Sequence, residues 1–110
     1  VVLHNGPSYV LAVVPSTHRV EFDTLHDMLD RRLSLATESE VAVLFDDCDL
    51  GAVPPVGSAY DLEVVLDDSL TGQPEIYFEG GDHRSLVHLK GGDFDTLMKD
   101  AQHGRFSHHM

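Results

Sequence analysis

The sequence predicts an α+β fold, a mixed and largely antiparallel sheet or half-open barrel with helices packed on one side. Two observations predict it. Short apolar runs recur along all 110 residues, while segments with helical spacing are few and brief. The order is ββαβα followed by βββα, which departs from the strict alternation of a doubly wound sheet. Neither GxGxxG nor GxxxxGK[ST] occurs, so nothing supports a nucleotide fold of those kinds.

The elements follow in order. Val1 to His4 and Ser8 to Val14 flank Asn5-Gly6, a dipeptide suited to a tight hairpin turn, with Pro7 expected to open the second strand. Phe22, Leu25, Met28 and Leu29 recur at helical spacing, predicting a helix over 22–30; Arg32 to Ala36 reads as a strand. Thr37-Glu38-Ser39-Glu40 is a capping box, because the Thr37 hydroxyl and the Glu40 carboxylate can each satisfy a free backbone N–H. Val41, Leu44 and Phe45 form the apolar face of the helix it starts. Asp46 to Gly57 reads as a turn-rich loop. Leu62 to Leu66 and Glu75 to Phe78 are strands joined by a polar loop containing Gly72 and Pro74. Ser85 to Lys90 is a further strand. Asp93 is expected to cap a last helix presenting Phe94, Leu97, Met98 and Ala101 on one face, which Gly104 ends.

Length and composition narrow the function. The chain fits one domain, residues 1–110, and its 42% hydrophobic content suffices for a packed interior. No apolar run reaches the ~20 residues of a membrane span. Val1-Val2-Leu3 shows neither a basic flank nor a cleavage-site pattern, so no signal peptide is expected. The chain opens inside a strand-like run without an initiator Met, and further residues upstream are expected. The lone Cys48 excludes an internal disulfide or a cysteine-based zinc cage and suits a cytoplasmic location. Nineteen acidic residues against seven basic ones give a formal charge of −12. Such a surface repels phosphate backbones, which excludes general coating of DNA or RNA but not contact with the terminal nucleotide of an RNA.

The stretch Cys48-Asp49-Leu50-Gly51-Ala52-Val53-Pro54-Pro55-Val56-Gly57 carries the most chemistry. Its glycines and prolines make a stiff loop whose backbone a ligand can approach closely. Donors fixed in such a loop hold a carbonyl or oxyanion without reorganising, although a plain surface turn has the same composition. His83, after Gly80-Gly81-Asp82 at a strand entrance, has a side chain that can orient water near neutral pH; a solvated turn histidine is the alternative.

Helix, acidic loop, Gly51-Ala52-Val53-Pro54-Pro55 and an apolar strand together resemble the Gly-x-x-x-Pro loop of the YbaK/prolyl-tRNA synthetase-associated editing family. Gly51 and Pro55 fall on its two named positions. Glu75 to Arg84 is similar to that family's strand leading into a Gly-x-His turn, and Asp93 to Leu97 matches its closing helix. The similarity extends from about Val1 to Phe106. The resemblance implies a deacylase that cleaves the ester between a small amino acid and the 3′ end of a tRNA, with proline-specific tRNA foremost. It implies no metal and no organic cofactor. The backbone of Gly51 and Ala52 would face the ester, Val53, Pro54 and Pro55 would shape the amino-acid pocket, and Gly81 and Asp82 would adjoin the substrate. His83 would orient substrate or water. The implied partners are the aminoacyl-tRNA acceptor end and a fused domain or synthetase, with no membrane and no DNA.

A lysine that in this family reaches the terminal nucleotide's phosphate would lie just before Val1, and Lys90 and Lys99, the only lysines, do not match it. That gap and the acidic charge support a rival reading, an editing fold without catalysis that serves as a binding or regulatory module. If RNA is bound, Arg84, Lys90 and Arg19 or Arg31 should gather near the pocket, with the carboxylates away from it.

The remaining features have plainer readings. Asp46, Asp47 and Asp49 break the spacing of a calcium loop. Cys48 among carboxylates is a poor nucleophile. His103, His108 and His109 read as a histidine tail without fixed structure, and His88 as a structural strand residue.

Overall fold

The computed structural model describes residues 1–45, 62–79 and 86–110. Strands β1 (Val2–Asn5) and β2 (Ser8–Val13) form the expected hairpin, with Asn5 opposite Ser8. Its two-residue turn is Gly6-Pro7 rather than Asn5-Gly6. Gly6 has φ +59°, and the pyrrolidine ring holds Pro7 near −65°. Positive then negative φ is the sign pattern of a type II′ turn, which matches strand twist and takes glycine first.

Next come β3 (His18–Val20), α1 (Phe22–Leu29), β4 (Ser34–Leu35) and α2 (Glu38–Leu44). The capping box forms as expected. The Glu40 amide donates to Thr37 Oγ1 at 3.2 Å, and the Thr37 amide donates to Glu40 Oε1 at 3.0 Å. Then follow β5 (Glu63–Asp67), a single 3₁₀ turn (Asp68–Leu70), β6 (Glu75–Glu79), β7 (Leu86–Lys90), α3 (Gly91–Leu97), β8 (Gln102–Gly104) and β9 (Ser107–His109).

A five-stranded sheet has the order β4-β1-β2-β5-β8. β1 is antiparallel to β2 and β4, whereas β5 is parallel to β2 and β8. Two antiparallel ribbons, β3-β9 and β6-β7, accompany it. The architecture is therefore α+β with a mixed, open sheet. Helices cover both of its faces, not one as expected. Val2, Leu11, Val13 and Leu66 join Phe45, Ile76, Phe94 and Met98 in one core cluster, under α2, α3 and the β6-β7 ribbon. Leu3, Val10, Ala12 and Val65 join Val20, Leu25, Leu33 and Phe106 in another, under α1. The cause is legible in β2, where the unbroken run Val10–Val13 is buried on both sides, as strands between two layers are.

Four further expectations change at the C-terminal end. Helix α3 begins at Gly91, so Asp93 lies in its first turn and Lys90 precedes it without a side-chain cap. Leu97 is exposed although Phe94 and Met98 are buried. Gly104 ends β8, and His103, His108 and His109 lie in β8 and β9 rather than in a loose tail. Those strands are held by pairing with β5 and β3, which no local pattern announces.

Candidate functional site

A cleft of about 700 Å3 opens where β2 ends. Residues 11–16, Leu70 just after β5, Phe94 of α3, Ile76, Tyr77, Phe78 and Leu86 of the β6-β7 ribbon and His18 of β3 line it. The volume suits a small ligand. Its described lining contains no Asp, Glu, Lys or Arg, in a chain with a formal charge of −12. The parallel pairing of β2 with β5 places Val13 beside Leu66, so both strands deliver their following residues to the same end of the sheet. Val1 also lines the cleft, and its backbone exchanges hydrogen bonds with Ala12 at 2.8 and 2.9 Å, continuing the β1-β2 ladder.

Two side chains missed in the sequence stand out here. Tyr77 is 56% exposed and stacks on His88, directly opposite on β7, with ring centroids 4.5 Å apart and planes 10° from parallel. His88 also faces Glu75 at 3.4 Å. His18 is half-buried, with Nδ1 3.1 Å from the Thr17 hydroxyl and its ring edge-on to His109 at 5.4 Å. Neither carried a local signal, because the cleft forms only when β3 and the β6-β7 ribbon meet the end of β2.

The expected site residues Gly51, Ala52, Val53, Pro54, Pro55, Gly81, Asp82 and His83 lie outside the described residues, as does Arg84. The residues flanking them are described. Phe45, buried at the end of α2, shares a cluster with Ile76 and Phe94, and Leu62 packs on that cluster. Glu79 pairs with Leu86, which lines the cleft. The described residues flanking the first segment thus share one core cluster, and Leu86, which follows the second, lines the cleft beside members of that cluster.

The pocket at which cations are expected to gather lies, with Arg84, outside the described residues, and the other three cations are placed as follows. Arg31 is committed to Glu63, its Nη2 donating to both carboxylate oxygens at 2.7 and 2.8 Å. Glu63 pairs with Val10, at the end of β2 away from the cleft. Lys90 is four strand residues from Leu86, about 13 Å along β7. Arg19 adjoins the cleft residue His18 in sequence. Among the described residues, no group of three or more His, Cys, Asp or Glu side chains gathers in a way that could hold a metal ion. No helix among them is long and apolar enough to cross a membrane.

The aminoacyl-tRNA editing domain family matches residues 1–97 of this chain. The chain belongs to that family. Among solved structures, a candidate trans-editing enzyme for prolyl tRNA synthetase is 28% identical with a TM-score of 0.83; the alignment covers 97% of this chain and 67% of that one. A scaffold from computational epitope grafting is also 28% identical, with a TM-score of 0.83 and coverage of 97% and 70%. A candidate signal transduction protein from Marinobacter aquaeolei VT8 shares the fold at 18% identity and TM-score 0.85, this editing-family chain spanning only 24% of it. No curated protein matches the sequence.

Proposed function

We propose that residues 1–110 form one editing domain that hydrolyses the ester of a mischarged tRNA carrying a small amino acid, acting in the cytoplasm. The observation that carries this reading is the cleft at the end of β2, whose described lining holds no Asp, Glu, Lys or Arg side chain and which adjoins residues flanking the segments that hold Gly51–Pro55 and Gly81–His83. A largely apolar lining of this kind suits a small side chain and strengthens any hydrogen bond made to a developing oxyanion.

In this reading the Gly51 and Ala52 amides receive the aminoacyl carbonyl oxygen, and Val53, Pro54 and Pro55 bound the side chain, with Gly81 and Asp82 beside the substrate. His83 orients a water whose oxygen bonds to the carbonyl carbon. The carbon–oxygen bond to the terminal ribose breaks, and the ribose oxygen takes a proton, releasing the amino acid and intact tRNA. Fixing the nucleotide so that its carbonyl meets the loop donors supplies the advantage. A residue continuing β1 upstream of Val1 would run beside Val13 at the cleft, where a lysine could hold the terminal phosphate.

The relative described as acting for prolyl tRNA synthetase supports proline-specific tRNA as the first substrate to test. The assay is release of amino acid from alanyl-, cysteinyl- and seryl-tRNA of proline specificity, with residues 1–110 and with an upstream extension. Release above the spontaneous rate supports hydrolysis. The −12 charge favours a second reading, a binding or regulatory module. Tight binding of a hydrolysis-resistant aminoacyl-adenosine amide with no release of amino acid from any charged tRNA would establish it.

A further inference from the structure

We infer that Tyr77 is a stacking platform for the terminal nucleobase of the RNA, an inference that rests on the editing reading above. Tyr77 is one of the residues lining the cleft, and it is 56% exposed, its side chain on the ribbon face opposite the buried Ile76, which is unusual for a large aromatic. It is also held in place. His88 lies flat against it at 4.5 Å, fixed opposite by the β6-β7 register, and Glu75 faces the His88 ring. Leu86, exposed and lining the same cleft, is diagonal to Tyr77 across the ribbon. A tyrosine ring backed by a second ring and left open to solvent is a preorganised surface for a planar heterocycle, since stacking needs no charge and loses little side-chain freedom.

The electrostatics point the same way. A chain this acidic, with no Lys or Arg in the described cleft lining, gains little from phosphates, so part of its hold on RNA must come from a neutral contact. Stacking is that contact. The amino acid would then occupy the inner cleft while the base rests on the ribbon. Tyr77 is a binding residue in this scheme and takes no part in the bond-breaking step.

The test uses an acceptor-stem RNA whose 3′-terminal adenine is replaced by 2-aminopurine, a fluorescent base dimmed by stacking. Fluorescence should fall on addition of the protein and of Tyr77→Phe, and stay unchanged with Tyr77→Leu, thermal melts confirming that both variants fold. On mischarged tRNA, Tyr77→Leu should raise KM by roughly ten-fold and leave kcat within about two-fold. Dimming with the RNA but no deacylation would support the platform and remove the hydrolytic reading. Deacylation with KM unmoved by Tyr77→Leu would overturn the platform and leave hydrolysis standing. Dimming by free 2-aminopurine riboside monophosphate, with none by the RNA, would overturn the assignment to an RNA end.

Discussion

The Phe106 amide donates a 2.9 Å hydrogen bond to Oδ1 of Asp67, a residue 39 positions earlier in the chain. The other carboxylate oxygen of Asp67 accepts from the Ser69 amide at 3.1 Å and from the Ser69 hydroxyl. One buried carboxylate therefore ends β5, starts the 3₁₀ turn that leads to Leu70 in the cleft, and ties down the link between β8 and β9. Asp67→Ala orphans the Phe106 N–H inside the core and should cost about 3 kcal/mol in urea unfolding. Unchanged stability would show that water replaces the carboxylate there.

The same residue sets an acid limit. Burial opposes its charge, but the Ser69 hydroxyl and the Phe106 and Ser69 amides outweigh that and hold the carboxyl below its usual value of 3.8. Because the folded value is the lower one, this stabilisation is complete above pH 3.8 and is lost as pH falls through the folded value. Unfolding midpoints measured from pH 6 to pH 2 should drop in the native chain, and Asp67→Asn should flatten that drop.

At the N-terminus of α2, Thr37→Ala removes the side-chain half of the capping box and should cost about 1 kcal/mol. Glu40 is held below the usual carboxylate range by the Thr37 amide and then by the Tyr9 hydroxyl, which donates to Oε2 at 2.7 Å. Its contribution is present above the ordinary carboxylate value and disappears as pH falls through the lowered one. Tyr9→Phe should shift the Glu40 carboxyl titration, followed by carbon-13 NMR, upward.

Gly91 and Gly92 make a controlled pair. A Cβ on Gly91 would collide with the Gln73 carbonyl, and the Gly91 amide is already bonded to the Pro74 carbonyl at 2.8 Å. Gly91→Ala should therefore destabilise by more than about 2 kcal/mol. Among the described residues nothing lies within 4 Å of a Cβ on Gly92, inside α3, so Gly92→Ala should stabilise by about 0.5–1 kcal/mol. Equal effects in thermal melts would remove the steric explanation.

Binding of RNA should depend weakly on salt. With Arg31 occupied by Glu63 and no Lys or Arg in the described cleft lining, a slope of about −2 or shallower is expected for log affinity against log salt. A slope of about −5 would point to a basic surface elsewhere.

Legibility in the sequence followed how local each signal was. The Thr37–Glu40 box and the periodic apolar face of α1 lie within a few residues, and both elements formed as read. The strands β3, β8 and β9 are three residues each and largely polar, and they exist through partners far away in the chain. Asp67 read as the start of a polar loop because its partner Phe106 is remote. The motifs at Gly51–Pro55 and Gly81–His83 were conspicuous by composition. Tyr77 and His18 were not, since their relevance comes only from the cleft that tertiary packing creates.

Hydrolysis itself is tested most directly by single-turnover deacylation of alanyl-tRNA of proline specificity, with the protein extended upstream of Val1 and in excess. The expected result is loss of the ester well above the buffer rate, lowered by at least about ten-fold in both His83→Ala and Gly51→Ala, about 1.4 kcal/mol of barrier or more each. Loss at the buffer rate with the native protein, for alanyl-, cysteinyl- and seryl-tRNA alike, would contradict it.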